Sequence, residues 1–269
     1  MTRNSVRKLA TSPWSEQRGV MRGLLVSLVL AAAALANDSS VLRAEVTGKQ
    51  EVDGVTYHIA TVDPARVRVL WADDAGRPLR TFDALAKHIE AKGWKAELLM
   101  NGGIFEPGGV PSGLLIQEGK ELRPVNRRDG EGNFYLKPNG VFFLTDTAAG
   151  VIDTAKWPPA DRSVRSAVQS GPLLLRDGKV HPAFRKESAS RLIRNGVGVT
   201  RDGKVALAMT DFDSEKLPNL FEFAMLFRKL GCDDALFLDG TISQIRKRGE
   251  FQRPGGRFGS FVVVLSDKP

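Results

Sequence analysis

The sequence predicts an α+β fold, with one domain built on a mixed, largely antiparallel sheet and a few packed helices. Three observations lead to this class: short β-branched segments recur, acid-Gly pairs separate several of them, and only two segments have helical periodicity. No linker-like tract interrupts residues 52–269, which we expect to form one domain. With 42% hydrophobic and 26% charged residues, the composition is ordinary for a folded chain.

Strands are expected where short apolar or alternating segments meet turn signals. These segments are Val55–Val62, Arg66–Trp71, Glu97–Met100, Gly113–Gln117, Pro172–Leu175, Val197–Thr200, Lys204–Met209 and Phe261–Leu265. Three acid-Gly pairs connect neighbouring segments: Glu118-Gly119, Asp177-Gly178 and Asp202-Gly203. Asp-Gly between two apolar runs favours a type I′ hairpin, so we expect antiparallel neighbours at these pairs.

Two helices are predicted from periodicity and from their end signals. The first follows Thr81, with apolar residues at helical spacing, and stops at Gly93. The second follows Asn219, a favourable N-cap, with Glu222 in the capping-box position, and it ends at Gly231. We expect both helices to pack against the sheet.

The N-terminal residues have the pattern of a secretion signal. Two arginines precede an apolar run that ends in Ala34-Leu35-Ala36. This order predicts a cleaved signal peptide over residues 1–36 and a lead-in over residues 37–51; an uncleaved anchor is the alternative. The apolar run is shorter than the roughly 20 residues of a membrane span. We therefore expect a periplasmic or secreted protein with no stable membrane span after cleavage.

Charge and cysteine content limit the possible partners. The formal net charge of +8 falls to +4 without residues 1–36, which hold five basic side chains and one acidic side chain. With no dense Lys/Arg stripe, this argues against nucleic-acid binding and fits a local site for an anionic ligand. Cys232, the one cysteine, lies in an apolar stretch and is expected to be a buried thiol.

Common catalytic motifs are missing. The sequence has neither Gly-x-Ser-x-Gly nor a phosphate-binding loop, and its three histidines stand in separate settings. A His-rich zinc site is therefore not expected, and no metal ligand is predicted. No cofactor is predicted, although the sequence leaves a divalent-cation requirement open, with Asp211-Phe212-Asp213 as a source of oxygen ligands.

Polar residues at strand ends are the remaining candidates. Asn101 precedes Gly102-Gly103, and Asp239 precedes Gly240, each directly after an apolar strand. Such a side chain lies at the rim of the sheet, and the glycine leaves room for a ligand. Simple turn formation is the alternative. Two arginines, at positions 165 and 194, precede other strands, and their planar forks suit phosphate unless they are ordinary surface residues.

These residues belong to motifs that resemble the phosphodiester glycosidase family. The matching segments are Asn101-Gly102-Gly103-Ile104-Phe105, Arg165-Ser166-Ala167, Ser170-Gly171-Pro172, Arg194-Asn195-Gly196-Val197-Gly198-Val199 and Leu238-Asp239-Gly240-Thr241-Ile242-Ser243. Their order and spacing agree over roughly residues 50–265, and the variants look like an exported bacterial branch. Thr241 replaces a second glycine and Asn195 replaces a small hydroxyl residue of the family pattern, so the resemblance does not specify the substrate.

The resemblance implies a mixed α/β fold and hydrolysis of a sugar-1-phosphodiester. The catalytic candidates are Asp239, as base or nucleophile, Asn101, and Glu106 as a second carboxylate, preferred to Asp211. The substrate-binding candidates are Gly102, Gly103, Arg165, Ser170, Arg194, Asn195, Gly240 and Ser243. The expected partner is a sugar-phosphate or another anionic glycan, and not a nucleic acid. The competing interpretations are a non-catalytic envelope module that binds anionic glycans and a hydrolase of another class.

Overall fold

The computed structural model describes residues 48–161, 163–248 and 255–266, so the predicted signal peptide and most of the lead-in lie outside the described residues. The strands are β1 Gly48–Val52, β2 Val55–Val62, β3 Val67–Leu70, β4 Ala96–Asn101, β5 Phe105–Glu106, β6 Val110–Pro111, β7 Leu115–Gln117, β8 Lys120–Arg123, β9 Gly140–Leu144, β10 Ala149–Asp153, β11 Ser166–Ser170, β12 Leu173–Arg176, β13 Lys179–Val180, β14 Asn195–Thr200, β15 Val205–Thr210, β16 Cys232–Asp239, β17 Ile245–Lys247 and β18 Phe261–Leu265. The helices are α1 Phe82–Ala91 and α2 Leu220–Lys229.

The strands form three main sheets. A seven-stranded sheet has the order β1-β2-β15-β14-β16-β12-β13, a five-stranded sheet β10-β9-β11-β7-β8, and a four-stranded sheet β17-β4-β18-β3. Strands β5 and β6 pair separately. Each of these strand pairs is antiparallel. The predicted α+β class is confirmed, and the described residues belong to one compact unit.

Three sheets enclose the central hydrophobic cluster, and the helices cover outer faces. The central cluster takes residues from all three sheets, including Met100, Phe142 and Leu236. Helix α2 packs on the other face of the seven-stranded sheet, and α1 packs on the four-stranded sheet. Among the described residues, no helix has the length and apolarity needed to cross a membrane.

Both helices begin and end where the sequence indicates. The Thr81 hydroxyl accepts a hydrogen bond from the Ala84 N–H at 3.1 Å, and Asn219 and Glu222 form the reciprocal capping box. Gly93 and Gly231 follow the helices with φ of +68° and +83°, the left-handed conformation that glycine adopts without steric cost.

Two acid-Gly pairs form the expected hairpin turn, whereas the third does not. Both residues of Glu118-Gly119 and of Asp177-Gly178 have positive φ, as a type I′ turn requires. At Asp202-Gly203 only the glycine has positive φ, and the Gly203 N–H donates to the Thr200 carbonyl at 2.8 Å. The type I′ prediction is wrong there, because Arg201 adds a third loop residue and shifts the turn to a type I geometry with a left-handed glycine.

The sheet also begins earlier than the expected domain boundary at residue 52. Strand β1 lies at Gly48–Val52, within the predicted lead-in, and pairs with β2 through an Asp53-Gly54 turn in which both residues have positive φ. This turn carries the same Asp-Gly signal as the other hairpins. Strand β1 has a polar sequence because it lies at the edge of the sheet and is only partly buried, so it lacks the apolar pattern that predicts a strand.

Glycines in β14 let α2 approach the sheet closely. A Cβ atom at Gly198 would lie 2.8 Å from the Phe227 ring and 2.7 Å from the Cys232 sulfur. Glycine at position 198 therefore allows the close packing of α2 on the sheet. Cys232 is buried, as expected, and burial raises the pKa of its thiol to about 12.

Candidate active site

The central polar residues meet where β14 and β16 of the seven-stranded sheet come close to the end of β4 in the four-stranded sheet. Asn195 opens β14 and pairs with Asp239, while the next residue, Gly196, pairs with Phe237. One extra residue, Leu238, is therefore inserted in β16. Such a bulge re-aims the following side chain, and it turns Asp239 toward Asn101 at the end of β4.

A hydrogen-bond network fixes the orientation of Asn101. Its Oδ1 accepts from the Gln244 N–H at 2.8 Å and from the Asn195 side-chain amide at 3.1 Å. Since both partners are donors, the other end of the Asn101 side chain is the NH₂ group, and it donates to Oδ2 of Asp239 at 3.1 Å. Asn195 also donates to the Asn101 carbonyl at 2.8 Å. The network holds the donor to Asp239 in one position.

Asp239 is partly exposed, and its pKa differs from the ordinary value of an aspartate. Its Oδ1 accepts a hydrogen bond from the Gly240 N–H at 2.7 Å. Burial raises the pKa of Asp239 to about 6, and the hydrogen bonds from Gly240 and Asn101 only partly oppose that shift. No salt bridge to Asp239 occurs among the described residues. A carboxyl group with this pKa can exchange a proton near neutral pH.

Ser170 and Ser243, the two serine candidates, form hydrogen bonds to the backbone on either side of Asp239. The Ser170 hydroxyl, at the end of β11, donates to the Leu238 carbonyl at 2.8 Å, and the Ser243 hydroxyl donates to the Gly240 carbonyl at 2.6 Å. Both serines are fully buried, as is Asn195. These three residues meet at the predicted site, but they hold its backbone and Asn101 in place and have no exposed surface for a substrate.

The glycines of the two motifs have different surroundings. A Cβ atom at Gly102 would lie 2.3 Å from the Ser260 hydroxyl, and one at Gly103 would lie 2.9 Å from the Gln169 carbonyl. The first contact of a Cβ atom at Gly240 is the Phe237 ring at 3.8 Å, an ordinary distance. The prediction that glycine leaves room for a ligand therefore fits Gly240, whereas Gly102 and Gly103 are required by close packing of the protein itself.

Arg165 does not join the cluster around Asp239, so its role in substrate binding stays a prediction that its contacts do not support. It precedes β11 at the end opposite to Ser170, and its guanidinium donates to the carbonyls of Thr145, Val67 and Pro64 at 2.8, 3.0 and 2.8 Å. Burial lowers its pKa to about 10. These hydrogen bonds connect the start of β11 to the end of β9 and to the start of β3.

Arg194 directly precedes Asn195, at the same end of the strands as Asp239. Its side chain, however, lies on the face of the seven-stranded sheet that α2 covers. Its Nε donates to the Pro218 carbonyl at 3.1 Å and its Nη2 to the Ser190 carbonyl at 2.8 Å, while its guanidinium lies over the Phe237 ring on the α2 side. Burial lowers its pKa to about 10. Arg194 contacts a separate cavity of about 540 Å³ and makes no hydrogen bond to Asp239.

Neither candidate for a second carboxylate contacts Asp239. Glu106 is exposed on β5, where it accepts from the Ser112 hydroxyl at 3.0 Å. Asp211 is buried 2.7 Å from His58 Nε2 and 2.8 Å from Lys49 Nζ. Burial opposes its ionisation, but Lys49, the Asp213 N–H and His58 outweigh it and lower its pKa. Asp211 follows β15, which lies two strands from β16, roughly 10 Å at normal strand spacing.

The Asp211-Phe212-Asp213 segment does not gather carboxylates for a cation. Asp211 is paired with Lys49 and His58, and its Oδ1 accepts from the Asp213 N–H. Within the described ranges, no group of three or more His, Cys, Asp or Glu side chains is arranged to hold a metal ion.

Two residues beside Asn101 are not among the sequence-based candidates. Gln244 donates its N–H to the Asn101 side chain, and Ser260 accepts the Gly102 N–H through its carbonyl at 2.8 Å. In the described part of the chain, Gln244 Oε1 and Ser260 Oγ are buried without a hydrogen-bond partner. Gln244 stands immediately after the motif that ends at Ser243, and this position is the signal that identifies it.

Comparisons with known proteins agree with this arrangement of motifs. The family model described as phosphodiester glycosidase matches residues 95–250, which include Asn101 and Asp239. The uncharacterized protein YigE of Escherichia coli (strain K12) is 33% identical over 215 residues, covering 79% of this chain and 82% of that protein.

Two solved structures share the fold. The zebrafish catalytic domain of N-acetylglucosamine-1-phosphodiester alpha-N-acetylglucosaminidase, auto-inhibited by its pro-peptide, aligns with a TM-score of 0.55 and 20% identity, covering 82% of this chain and 81% of that one. A hypothetical protein from Synechocystis aligns with a TM-score of 0.50 and 15% identity, covering 81% of this chain and 61% of that one. The family match and the relative from Escherichia coli together show that this chain belongs to the phosphodiester glycosidase family.

Proposed function

We propose that this protein is a hydrolase that cleaves a glycosyl phosphodiester between the anomeric carbon and the phosphate oxygen. The observation that carries the proposal is Asp239, a partly exposed carboxylate with a pKa of about 6, held by buried residues of a phosphodiester glycosidase chain. A group of this acidity is matched to proton transfer at neutral pH. The predicted N-terminal signal supports a location in the bacterial envelope as part of this proposal.

In the proposed reaction Asp239 acts on the anomeric carbon through one of two routes. As a base, it removes a proton from water while the water oxygen bonds to that carbon. As a nucleophile, it bonds to the carbon itself, and water releases the sugar in a second step. In both routes the carbon–oxygen bond breaks with its electron pair on the phosphate oxygen. The products are a free sugar and a phosphate monoester.

The surroundings of Asp239 suit this leaving group. Cleavage of an ordinary glycoside uses a second carboxyl group to protonate the leaving oxygen. Neither Glu106 nor Asp211 forms a hydrogen bond with Asp239 in the described structure. A phosphate monoester is already a weak base when it departs, so it needs little protonation. A phosphodiester can therefore react with one carboxylate, and the role of Glu106 as a second carboxylate stays a prediction.

The proposal is tested by incubating the purified protein with a panel of sugar-1-phosphodiesters and measuring free reducing sugar. Methyl glycosides of the same sugars are the matched controls, because they keep the sugar and lack the phosphate. We expect release from at least one phosphodiester, none from the glycosides, and a loss of about 10²–10⁴ in rate for Asp239→Asn. Circular dichroism must show that the variant is folded.

Two results would contradict the proposal. Equal rates for parent and Asp239→Asn would remove Asp239 from the reaction. A folded parent that releases no sugar across a varied panel would favour the alternative of a glycan-binding envelope module.

A further inference from the structure

A small cavity opens beside the Asp239 turn. Its volume is about 280 Å³, and the residues that follow Gly240 form one wall. Phe212, Arg257 and Phe258 also line it. Ile242 is 48% exposed, which is unusual for a large apolar side chain in this protein. The cavity therefore combines an apolar surface with one guanidinium.

The cavity is connected to the catalytic candidates through short contacts. The Ser243 N–H and hydroxyl both bond to the Gly240 carbonyl, at 2.8 and 2.6 Å. The Gln244 N–H bonds to the Asn101 side chain at 2.8 Å. Gln244 also lines the cavity, so it begins within one hydrogen bond of Asn101, the residue that positions Asp239.

The charge of the lining residues distinguishes this cavity from three others in the protein. Three larger cavities each have a carboxylate in their walls, namely Glu187, Asp73 and Glu90. In the described part of the chain, no acidic side chain lines this cavity, so Arg257 is an uncompensated positive charge there. Among the described residues, no hydrogen bond or ion pair to a protein group engages Arg257, which is exposed. An arginine in this state is available for a phosphate.

We propose that this cavity binds the phosphate and the ester substituent of the substrate, with Arg257 as the phosphate-binding side chain. This deepens the proposed function and rests on it. Arg165 and Arg194, the sequence-based candidates for that role, donate three and two hydrogen bonds to backbone carbonyls, and neither lines this cavity. The apolar surfaces of Phe212, which is partly exposed, and of Ile242, which is exposed, select a substituent that is itself apolar. The substrate class is a glycosyl phosphodiester with an apolar aglycone.

The test is a calorimetric titration of the full protein with benzyl phosphate, which carries the phosphate and an apolar ester group but no sugar. We expect Arg257→Ala to weaken binding at least tenfold, because a charge-assisted contact is lost. Arg228→Ala is the matched control, since Arg228 is exposed on α2 away from the cavity residues, and it should bind like the parent. Methyl phosphate should bind the parent several-fold more weakly than benzyl phosphate, and Ile242→Ser should reduce that difference.

The outcomes separate this inference from the proposed function. Unchanged binding in Arg257→Ala, equal loss in Arg228→Ala, or no binding by the parent would overturn the assignment of the cavity. Equal affinities for methyl and benzyl phosphate would overturn the apolar part of it. Benzyl phosphate has no glycosidic bond, so binding through Arg257 without any release of sugar from phosphodiesters would refute the hydrolase and leave the anion site standing.

Discussion

The turns that end β4 and β16 look alike in sequence, and the structure uses them in different ways. Asn101-Gly102-Gly103 is buried, with its side chain and glycines packed against the protein. Asp239-Gly240 is partly exposed and has space at its glycine. One turn is a support and the other presents a reactive group. An Asx-Gly pair after a strand therefore identifies the rim of the sheet, and the packing beyond the turn decides its role.

The same division extends to the rest of the candidate site. Ser170, Asn195 and Ser243 lie on the buried side and bond to backbone or to Asn101. The cavity beside Gly240, with Arg257, lies on the open side. Substitutions on the buried side should change stability or the position of Asp239, whereas substitutions on the open side should change substrate binding with little effect on folding.

The largest effect on stability is expected for Arg165→Ala. It removes hydrogen bonds from a partly buried guanidinium to three carbonyls, so unfolding in urea should show a loss of at least about 1.5–3 kcal/mol, the usual worth of one hydrogen bond to a charged group. The kcat/KM of the folded protein should stay within about threefold, because Arg165 and Ser170 lie at opposite ends of β11 and a threefold change is under 1 kcal/mol. A specific collapse of activity with normal stability would return Arg165 to the substrate site.

Gly103→Ala and Gly240→Ala form a matched pair that tests the two turns directly. The added methyl group at Gly103 meets the Gln169 carbonyl, so we expect a loss of about 1–3 kcal/mol in denaturant unfolding. At Gly240 the methyl group meets only Phe237 at an ordinary distance, and stability should stay within about 0.5 kcal/mol. If both variants were equally stable, the contrast between the turns would be lost.

A smaller effect is expected for Asn195→Ala. The variant loses the donor that helps to hold Asn101, and a hydrogen bond of this kind is worth about 1 kcal/mol. Steady-state kinetics should show a decrease of roughly fivefold in kcat with an unchanged KM, because Asn195 positions a neighbour of the base and is itself buried. A change confined to KM would show that Asn195 contacts the substrate.

Helix caps and strand-terminal residues, which are recognisable in short stretches of sequence, predicted much of the fold and the position of the two central site residues. Thr81, Asn219 and Glu222 lie at helix starts because their side chains satisfy the free N–H groups of the first turn. Asn101 and Asp239 meet as expected because each ends a strand, although the bulge at Leu238 that turns Asp239 inward has no local signal.

The roles of the arginines could not be predicted in the same way. Two of the three carbonyls that bind Arg165 belong to Pro64 and Val67, about a hundred residues earlier in the chain. Residue type gives the capacity for phosphate binding, but only the fold shows whether the donors are already used. Arg257 has no motif of its own and becomes a candidate only through the cavity that it lines.

The central claim is that Asp239 reacts as a carboxylate, and the pH dependence of kcat/KM between pH 4.5 and 8 tests it most directly. Burial raises the pKa of Asp239 to about 6, so its basic form is lost as the pH falls through that value. The rate should fall about tenfold per pH unit below about pH 6 and be level above it. A flat profile across pH 5–7, or a rate that falls above pH 6, would contradict the account.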